Sequence, residues 1–193
     1  MQNIIRECVC ILFTLIYLLK VRKSIKNKKQ IFLSIFVLIA LLLLVFLPFE
    51  NLFLYFHSYE TAFTYFSNKG TIACTMESDD SALVISFQNS NEKYLLLNKS
   101  EGLYSAPLQQ PRLETSRNND GNYFLFINEP GTNNYYIIIH GVAQQESVIS
   151  DSCNSEFLSY SDLTGYFLCY VTYVQNVSDT YYVQIDDSKL YMN

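Results

Sequence analysis

Hydrophobic residues dominate the first fifty positions of the chain, and the longest uninterrupted run extends from Ile31 to Phe49. This run, IFLSIFVLIALLLLVFLPF, contains no charged residue, and Ser34 is its only polar side chain. A helix of its nineteen residues spans about 28 Å, which is close to the thickness of about 30 Å of a bilayer's hydrocarbon core. Buried helices of soluble proteins usually keep a polar stripe, and this run has none. The pattern therefore predicts a transmembrane helix over 31–49.

A shorter apolar run lies upstream, within 8–21, and its core reads CVCILFTLIYLL. A helix of this length reaches only about 18 Å, so it crosses a bilayer only if it recruits residues before Cys8. Three interpretations remain open: a short transmembrane helix, an interfacial helix, or part of a longer helix that begins before the given sequence. We favour a first transmembrane helix.

Basic residues cluster between the two apolar runs, in the segment KVRKSIKNKKQ. They are Lys20, Arg22, Lys23, Lys26, Lys28 and Lys29. Positive charge beside a transmembrane helix favours the cytoplasmic side, so these residues are the predicted determinants of membrane topology and 22–30 is predicted to be a cytoplasmic loop. The same residues are suited to contact anionic lipid of the bilayer. Residues 50–193 are then extracytoplasmic whether or not the first run spans, and the predicted location is the cell membrane.

The apolar pattern changes after Pro48 to the period of an amphipathic helix. Tyr59, Ala62, Phe63 and Phe66 are spaced i, i+3, i+4 and i+7, which places them on one face of a helix near 58–68. Ser58 precedes this face as a candidate N-cap, Glu60 lies in the first turn, and Gly70 follows as a candidate C-cap glycine. The helix is predicted to cover one face of a sheet.

Short β-prone runs separated by turn residues fill the rest of the chain. The predicted strands are 71–76, 81–87, 93–98, 102–107, 122–128, 134–143, 146–150, 156–160, 165–175, 180–185 and 189–192. The polar stretch 108–121 is predicted to be a connection or an exposed arm. Strands of this length and spacing favour a curled antiparallel sheet or meander, with the early helix packed on one face. The predicted fold class is a membrane-anchored α+β protein whose single outer domain covers 50–193.

Charge differs sharply between the two ends of the chain. Residues 1–49 contain seven basic residues and one acidic residue, a net charge of +6, whereas 50–193 contain six basic and seventeen acidic residues, a net charge of −11. Such a split is typical of segments that meet different surroundings. An acidic domain repels the phosphate backbone, so nucleic acid is not expected as a partner.

Cysteine usage does not indicate a disulfide-built scaffold. The outer segment contains three cysteines, Cys74, Cys153 and Cys169, which is an odd number. A segment of this length can bury a sufficient hydrophobic core without disulfides. A Cys153–Cys169 bridge and free cysteines both remain open.

Residues suited to catalysis or metal binding are sparse. The two histidines, His57 and His140, fall on different predicted elements, so no metal site is expected. Asp79–Asp80 and Asp186–Asp187 fall in predicted turns, where Asp is favoured because its side chain bonds nearby amides; acid–base or calcium chemistry is the alternative. No nucleophile elbow or glycine-rich phosphate loop is present. The sequence therefore predicts no enzyme and no cofactor.

Tyrosine is abundant in the predicted strands, and it occurs as the adjacent pairs Tyr135–Tyr136 and Tyr181–Tyr182. Consecutive strand residues point to opposite faces, so each pair directs one ring to each face. Exposed tyrosines supply rigid, amphipathic contact area for protein, peptide or carbohydrate. The candidate binding surface is therefore Tyr135, Tyr136, Tyr181 and Tyr182, and the alternative is the ordinary preference of tyrosine for half-buried strand positions.

The order of segments between Phe49 and Phe157 resembles a group of small uncharacterised membrane-anchored proteins of Gram-positive bacteria. The segments are FENLFLYFHSYETAFTYF, SALVI, YLLLNKSEGLYSAP, NYYIIIH and ISDSCNSEF. Members of that group typically show an E-x-AF-x-Y helix after the anchor, then a strand, then a turn containing Trp-Lys. This chain has Leu103–Tyr104 where the Trp-Lys would stand, and it contains no tryptophan. The resemblance implies a location in the bacterial envelope, and it carries no activity with it.

These observations lead to one functional expectation and one alternative. The expected function is a non-catalytic interaction module, anchored in the membrane and working outside the cytoplasm, whose partner is another envelope or membrane protein. The alternative is an accessory or regulatory subunit of a membrane complex, such as a transporter partner, an immunity protein or a signalling protein.

Overall fold

The computed structural model describes residues 11–17, 35–37, 39, 53–67, 70–107, 111–118, 121–143 and 147–192. The chain divides into two compact units, Met1–Leu54 and Tyr55–Asn193. In the first unit the described residues up to 39 are helical. No helix within the described residues is both long and apolar enough to span a bilayer. Most of the predicted transmembrane helix 31–49, and all six basic residues of the predicted topology signal, lie outside the described residues.

Helix α1 (Tyr59–Ser67) begins the second unit's regular structure, and it matches the helix predicted near 58–68. The Thr61 amide donates a 3.3 Å hydrogen bond to Oγ of Ser58, which confirms Ser58 as the N-cap. The predicted apolar face is also confirmed, because Ala62 and Phe63 are buried on it. Gly70 has φ +147°, and a Cβ there would lie 3.0 Å from the carbonyl oxygen of Phe87. Close approach of that strand therefore requires the glycine.

Twelve strands follow in the described part of the second unit, and all their pairings are antiparallel. They are β1 (Thr71–Glu77), β2 (Ser81–Gln88), β3 (Asn91–Ser100), β4 (Leu103–Ser105), β5 (Leu113–Arg117), β6 (Tyr123–Asn128), β7 (Tyr135–Ala143), β8 (Ile149–Asp151), β9 (Leu158–Ser161), β10 (Phe167–Val174), β11 (Tyr182–Ile185) and β12 (Ser188–Tyr191). They form a first sheet in the order β1-β2-β3-β4, a second in the order β5-β6-β7-β10-β9, and a third in the order β12-β11-β8.

The three sheets and the helix stack as four layers, because alternate residues of the inner strands enter different cores. Helix α1 packs on one face of the first sheet through Ala82, Val84, Leu97 and Tyr104. The opposite face of the first sheet packs on the second sheet through a larger core. That core contains Leu83, Ile85, Leu96, Leu125, Ile127, Tyr136, Ile138, Tyr160, Cys169 and Val171.

The second sheet is buried on both faces, because the third sheet covers the side that the first sheet leaves free. This core contains Phe124, Phe126, Ile137, Ile139, Val142, Val174, Val177, Tyr181, Val183 and Ile185. Fully burying an aliphatic or aromatic side chain stabilises a fold by roughly 1.5–3 kcal/mol. The second sheet, which supplies both cores, is therefore the centre of the domain.

The sequence predicted the α+β class and most strand positions, but not the stacking. The predicted single curled sheet is in fact three separate sheets. The stretch 108–121 was predicted to be a connection or an exposed arm, whereas its residues Leu113–Arg117 form β5 at an edge of the second sheet. An edge strand needs little apolar character, since one side of its backbone and much of its surface face water.

Candidate functional site

The four tyrosines of the candidate binding surface do not lie together. Tyr136 is buried between the first and second sheets, where its hydroxyl lies 2.7 Å from Oγ of Ser81. Tyr181 is buried between the second and third sheets, and its hydroxyl donates a 2.8 Å hydrogen bond to Oδ2 of Asp151. Neither ring can contact a ligand in this structure. Their contribution is to join layers.

The other two tyrosines are half-buried and reach the surface in different places. Tyr135 lines an open cavity of about 220 Å³, together with polar side chains that include Arg112, Asn133 and Asp179. Tyr182 packs against Tyr191, with ring centroids 5.6 Å apart, and the ammonium of a neighbouring lysine lies over its ring. The predicted single surface therefore divides into two buried anchors and two separate, partly exposed rings.

A polar cluster occupies the interface between the first and second sheets, and His140 is at its centre. Nε2 of His140 lies 3.3 Å from the hydroxyl of Tyr94, and Nδ1 lies 3.4 Å from Sγ of Cys169 and 3.5 Å from Oε2 of Glu92. The Tyr160 hydroxyl donates to the other oxygen of Glu92 at 2.5 Å. Four strands, β3, β7, β9 and β10, thus contribute to one cluster.

Strand alternation directs His140 into this interface, because Ile138, two residues before it on β7, faces the same core. The register between β7 and β10 shifts between Leu168 and Tyr170, opposite the stretch of β7 that contains His140 and Gly141. Gly141 has φ +82°, a left-handed conformation that glycine adopts without strain. The bulge was not predicted from the sequence, although an isolated glycine inside a strand pattern is its usual signal.

Electrostatics in the cluster oppose nucleophilic catalysis. Burial raises the pKa of the Cys169 thiol to about 12, so the sulfur stays protonated at neutral pH. Burial also raises the pKa of Glu92 and lowers that of His140, which favours neutral groups on both. Cys169 and Glu92 face the same ring nitrogen, whereas a catalytic triad places the nucleophile and the orienting carboxylate on different nitrogens. The cluster is built to join two sheets.

A second buried carboxylate, Glu129, lies near the other end of the same interface. Its Oε2 accepts hydrogen bonds from the Tyr173 hydroxyl at 3.0 Å and the Asn134 amide at 2.8 Å. Burial alone would raise the pKa of Glu129, but interactions with Ser81, Asn134 and the neighbouring hydroxyls outweigh it and hold the pKa below its ordinary value. Glu129 is therefore an ionised, hydrogen-bonded anchor.

The predicted acidic turns have structural partners. Oδ1 of Asp186 accepts a 2.8 Å hydrogen bond from the Val148 amide, and Asp186 has φ +51°. The carbonyl of Asp80 accepts a 2.7 Å hydrogen bond from the Lys99 amide. No group of three or more His, Cys, Asp or Glu residues in the described part of the chain is arranged to hold a metal ion. The described cysteines of the second unit, Cys74, Cys153 and Cys169, are free thiols.

An exposed apolar group lies at the tip of the β9–β10 hairpin, which residues 162–167 form. Leu163, Tyr166 and Phe167 are 48%, 78% and 45% exposed. This tip (residues 162–167) is held by Asp162, whose side chain accepts hydrogen bonds from the Thr164 hydroxyl at 2.6 Å and the Phe167 amide at 3.3 Å. These contacts lower the pKa of Asp162, the Thr164 hydroxyl most strongly.

The tip lies at the opposite end of the domain from Tyr55, the domain's first residue. Phe56 pairs with Tyr104 of β4, close to the start of β2. The Glu92–Tyr160 contact lies near the other end of β2, where Glu92 pairs with Phe87, and the tip follows β9 on the same side. The sequence prediction placed residues 165–167 inside a strand over 165–175 and did not predict that side chains of this segment are exposed, although Gly165 after Asp-Leu-Thr is a turn signal.

Comparison of the chain with protein-family models, with curated proteins and with solved structures gave no match.

Proposed function

We propose that the chain is a non-catalytic interaction module, held at the cell membrane by its N-terminal segment and presenting residues 50–193 outside the cytoplasm. The uncharged apolar run 31–49 and the basic residues between 20 and 29 support this topology through the positive-inside rule. The resemblance to membrane-anchored proteins of Gram-positive bacteria supports an envelope location.

The tip of the β9–β10 hairpin carries the proposal of an interaction. Aromatic side chains supply most of the binding free energy at protein interfaces when they enter a pocket of the partner. Tyr166 is well placed for this role because it is the most exposed large hydrophobic side chain in the described residues. The hydrogen bonds of Asp162 hold the turn in place, so little conformational entropy is lost on binding.

The charge of the domain favours a protein partner over anionic lipid or nucleic acid. Residues 50–193 carry a net charge of −11, which repels both anionic lipid headgroups and the phosphate backbone. The fitting partner is an envelope or membrane protein with an apolar pocket.

The proposed function includes no catalysis, and the burial of the chemically reactive residues supports this. Cys169 is fully buried and protonated, and His140 and Glu92 are enclosed between two sheets. Changing them is expected to alter the stability of the domain, and binding is expected to depend on the tip.

Co-purification with matched variants tests the interaction. The full chain is isolated from gently solubilised membranes as the wild type, as the tip variant Leu163→Ser/Tyr166→Ser, and as the control Leu113→Ser/Tyr191→Ser. The control removes side chains that are 55% and 53% exposed but lie on β5 and β12. We expect a protein that accompanies the wild type and the control and is at least tenfold depleted from the tip variant. Equal recovery with all three chains contradicts the proposal.

Thiol labelling tests the location. Cys153 is exposed and free, so a membrane-impermeant maleimide added to intact cells should label it if the domain is extracytoplasmic, and Cys153→Ser should abolish the signal. Labelling that appears only after lysis contradicts the topology. Replacing 31–49 by an unrelated apolar helix separates the proposal from an accessory subunit that works through its membrane segment, because only the proposed module keeps its partner.

A further inference from the structure

The open cavity of about 220 Å³ beside Tyr135 lies where three segments of the chain meet. These segments are the start of β5, the start of β7 and the loop that joins β10 to β11. The polar and aromatic side chains that line the cavity are Arg112, Glu114, Asn133, Tyr135, Ser178 and Asp179. Tyr135 pairs with Val174, at the end of β10 that is opposite to the hairpin tip. The cavity is therefore separate from the tip and from the His140 cluster.

Hydrogen bonds hold the wall that the β10–β11 loop contributes. The Val177 amide donates a 2.9 Å hydrogen bond to the carbonyl of Asn133, and the side-chain amide of Asn133 donates to the carbonyl of Val177. The Tyr181 amide donates a 2.9 Å hydrogen bond to the carbonyl of Ser178. The wall is thus formed before a ligand arrives, so a ligand loses little affinity to ordering the loop.

Several polar groups of the cavity are free to bind a ligand. Among the described residues, neither the hydroxyl of Tyr135 nor the carboxylate of Asp179 makes a hydrogen bond. Oε1 of Glu114 lies 2.9 Å from Nε of Arg112, and this pair leaves the other carboxylate oxygen and the terminal guanidinium nitrogens for a ligand. An aromatic wall with a few convergent polar groups is typical of small-molecule sites.

The charged side chains of the cavity indicate what kind of ligand fits. The carboxylates of Glu114 and Asp179 only accept hydrogen bonds, whereas the guanidinium of Arg112 only donates them. Hydroxyl groups satisfy both, because each donates and accepts. An anionic ligand would be repelled by the two carboxylates, and an apolar ligand would bury these charges without partners. A neutral compound with several hydroxyls is therefore the fitting ligand.

The ring of Tyr135 and the size of the cavity narrow this class to sugars. An aromatic side chain offers an apolar face, which suits a ligand that is apolar on one face and polar around its edge. A pyranose ring has this form, with C–H groups on its face and hydroxyls around its edge. A volume of about 220 Å³ is below the roughly 300–1,000 Å³ of sites for drug-sized molecules, so the cavity suits a single ring.

We propose that this cavity binds one ring of a neutral saccharide. The ring packs its C–H face on Tyr135, its hydroxyls donate to Asp179 and Glu114, and one hydroxyl accepts from Arg112. The proposal does not depend on the proposed function, because the cavity shares no residue with the hairpin tip.

Ligand-observed NMR tests the proposal on the full chain, in a detergent without a sugar headgroup. The probes are glucose, galactose, mannose and N-acetylglucosamine, and the comparison ligand is the zwitterion glycylglycine. We expect saturation transfer from the protein to at least one of the four saccharides and none to glycylglycine. Tyr135→Leu removes the aromatic face and should weaken saccharide binding at least tenfold, whereas Tyr135→Phe keeps that face and should retain most of the binding.

A charge-matched pair of variants separates the cavity from the rest of the surface. Asp179→Ala should weaken saccharide binding at least tenfold, and Asp187→Ala, at an exposed position in the turn between β11 and β12, should bind as the wild type does. Bound saccharide should also raise the melting temperature of the wild type and of Asp187→Ala, but not that of Asp179→Ala. Absence of transfer to all four saccharides, equal transfer to glycylglycine, or equal binding by the two Asp variants overturns the proposal.

Discussion

The Tyr160 hydroxyl donates a 2.5 Å hydrogen bond to Oε1 of Glu92, and this contact joins β9 of the second sheet to β3 of the first. The two residues are 68 positions apart in the chain. Both side chains are largely buried, so the carboxylate has little access to water as a substitute partner. The stacking of the two sheets therefore depends on polar contacts of this kind as well as on apolar burial.

Removing the donor of this contact should destabilise the domain. Tyr160→Phe leaves a largely buried oxygen of the Glu92 carboxyl group without its partner, and leaving a buried polar group unsatisfied costs about 1–3 kcal/mol. We expect the free energy of unfolding, measured by urea denaturation at pH 7, to fall by about that amount. Tyr166→Phe at the exposed tip is the matched control and should stay within about 0.5 kcal/mol of the wild type. Equal effects of the two changes would show that the Glu92 contact adds nothing.

The neutral state of His140 predicts a loss of stability in mild acid. Burial lowers the pKa of His140 in the folded domain, whereas the unfolded chain takes up a proton near its ordinary pKa of about 6.5. The stability that neutral His140 contributes to the folded domain is therefore fully present above about pH 6.5, and it is lost as the pH falls below that value. The free energy of unfolding, followed from pH 7.5 to pH 5.5, should fall less steeply in His140→Gln than in the wild type. His57→Gln, at an exposed position, should keep the wild-type slope.

The raised pKa of Glu92 predicts that the stability of the domain changes with pH in the opposite direction, over a lower range of pH. Burial raises its pKa in the folded domain above the ordinary value of about 4.5, so the unfolded chain loses its proton first as the pH rises. Stability is then lost as the pH rises from about 4.5 through the raised pKa. The stability of Glu92→Gln relative to the wild type should accordingly improve between pH 4 and pH 7. Glu101→Gln, in an exposed turn, controls for the loss of one charge; a parallel pH profile of the two variants would refute this assignment.

Tyr136 and Tyr135, which are neighbours on β7, should differ in their effect on the stability of the domain. Tyr136→Phe removes a buried hydroxyl that contacts Ser81, so the free energy of unfolding should fall by about 0.5–1.5 kcal/mol. Tyr135→Phe removes a hydroxyl near an open cavity and should change stability much less. Neither change should weaken partner binding, since the tip is distant from both. A loss of partner in Tyr136→Phe with unchanged stability would restore the original tyrosine-surface prediction.

The local pattern was sufficient to predict the helix and every strand except β5, but not how the sheets stack. The N-cap Ser58 and the apolar face of α1 could be predicted because capping and helical periodicity depend on residues that are close in sequence. The runs Phe124–Ile127 and Tyr136–Ile139 are buried at every position, which signals a strand covered on both faces. The sequence analysis treated them only as strands, and the third sheet was therefore not separated from the second.

The candidate site was harder to predict because its residues are far apart in sequence. Cys169 and His140 are 29 positions apart, and only the pairing of β7 with β10 brings them together. Tyrosine abundance identified a residue type but could not distinguish the buried rings of Tyr136 and Tyr181 from an exposed one. Tyr166 was counted as an ordinary strand residue, since a hairpin tip and a strand end have similar composition.

Photo-cross-linking from the tip in intact cells tests the central claim most directly. A photoreactive phenylalanine derivative replaces Tyr166 in one full-length chain and Leu113, another exposed apolar residue, in a second. The account predicts a discrete adduct between the chain and an envelope or membrane protein from position 166, and none from position 113. Absence of an adduct from position 166, the same adduct from both positions, or an adduct of the chain only with itself would contradict it.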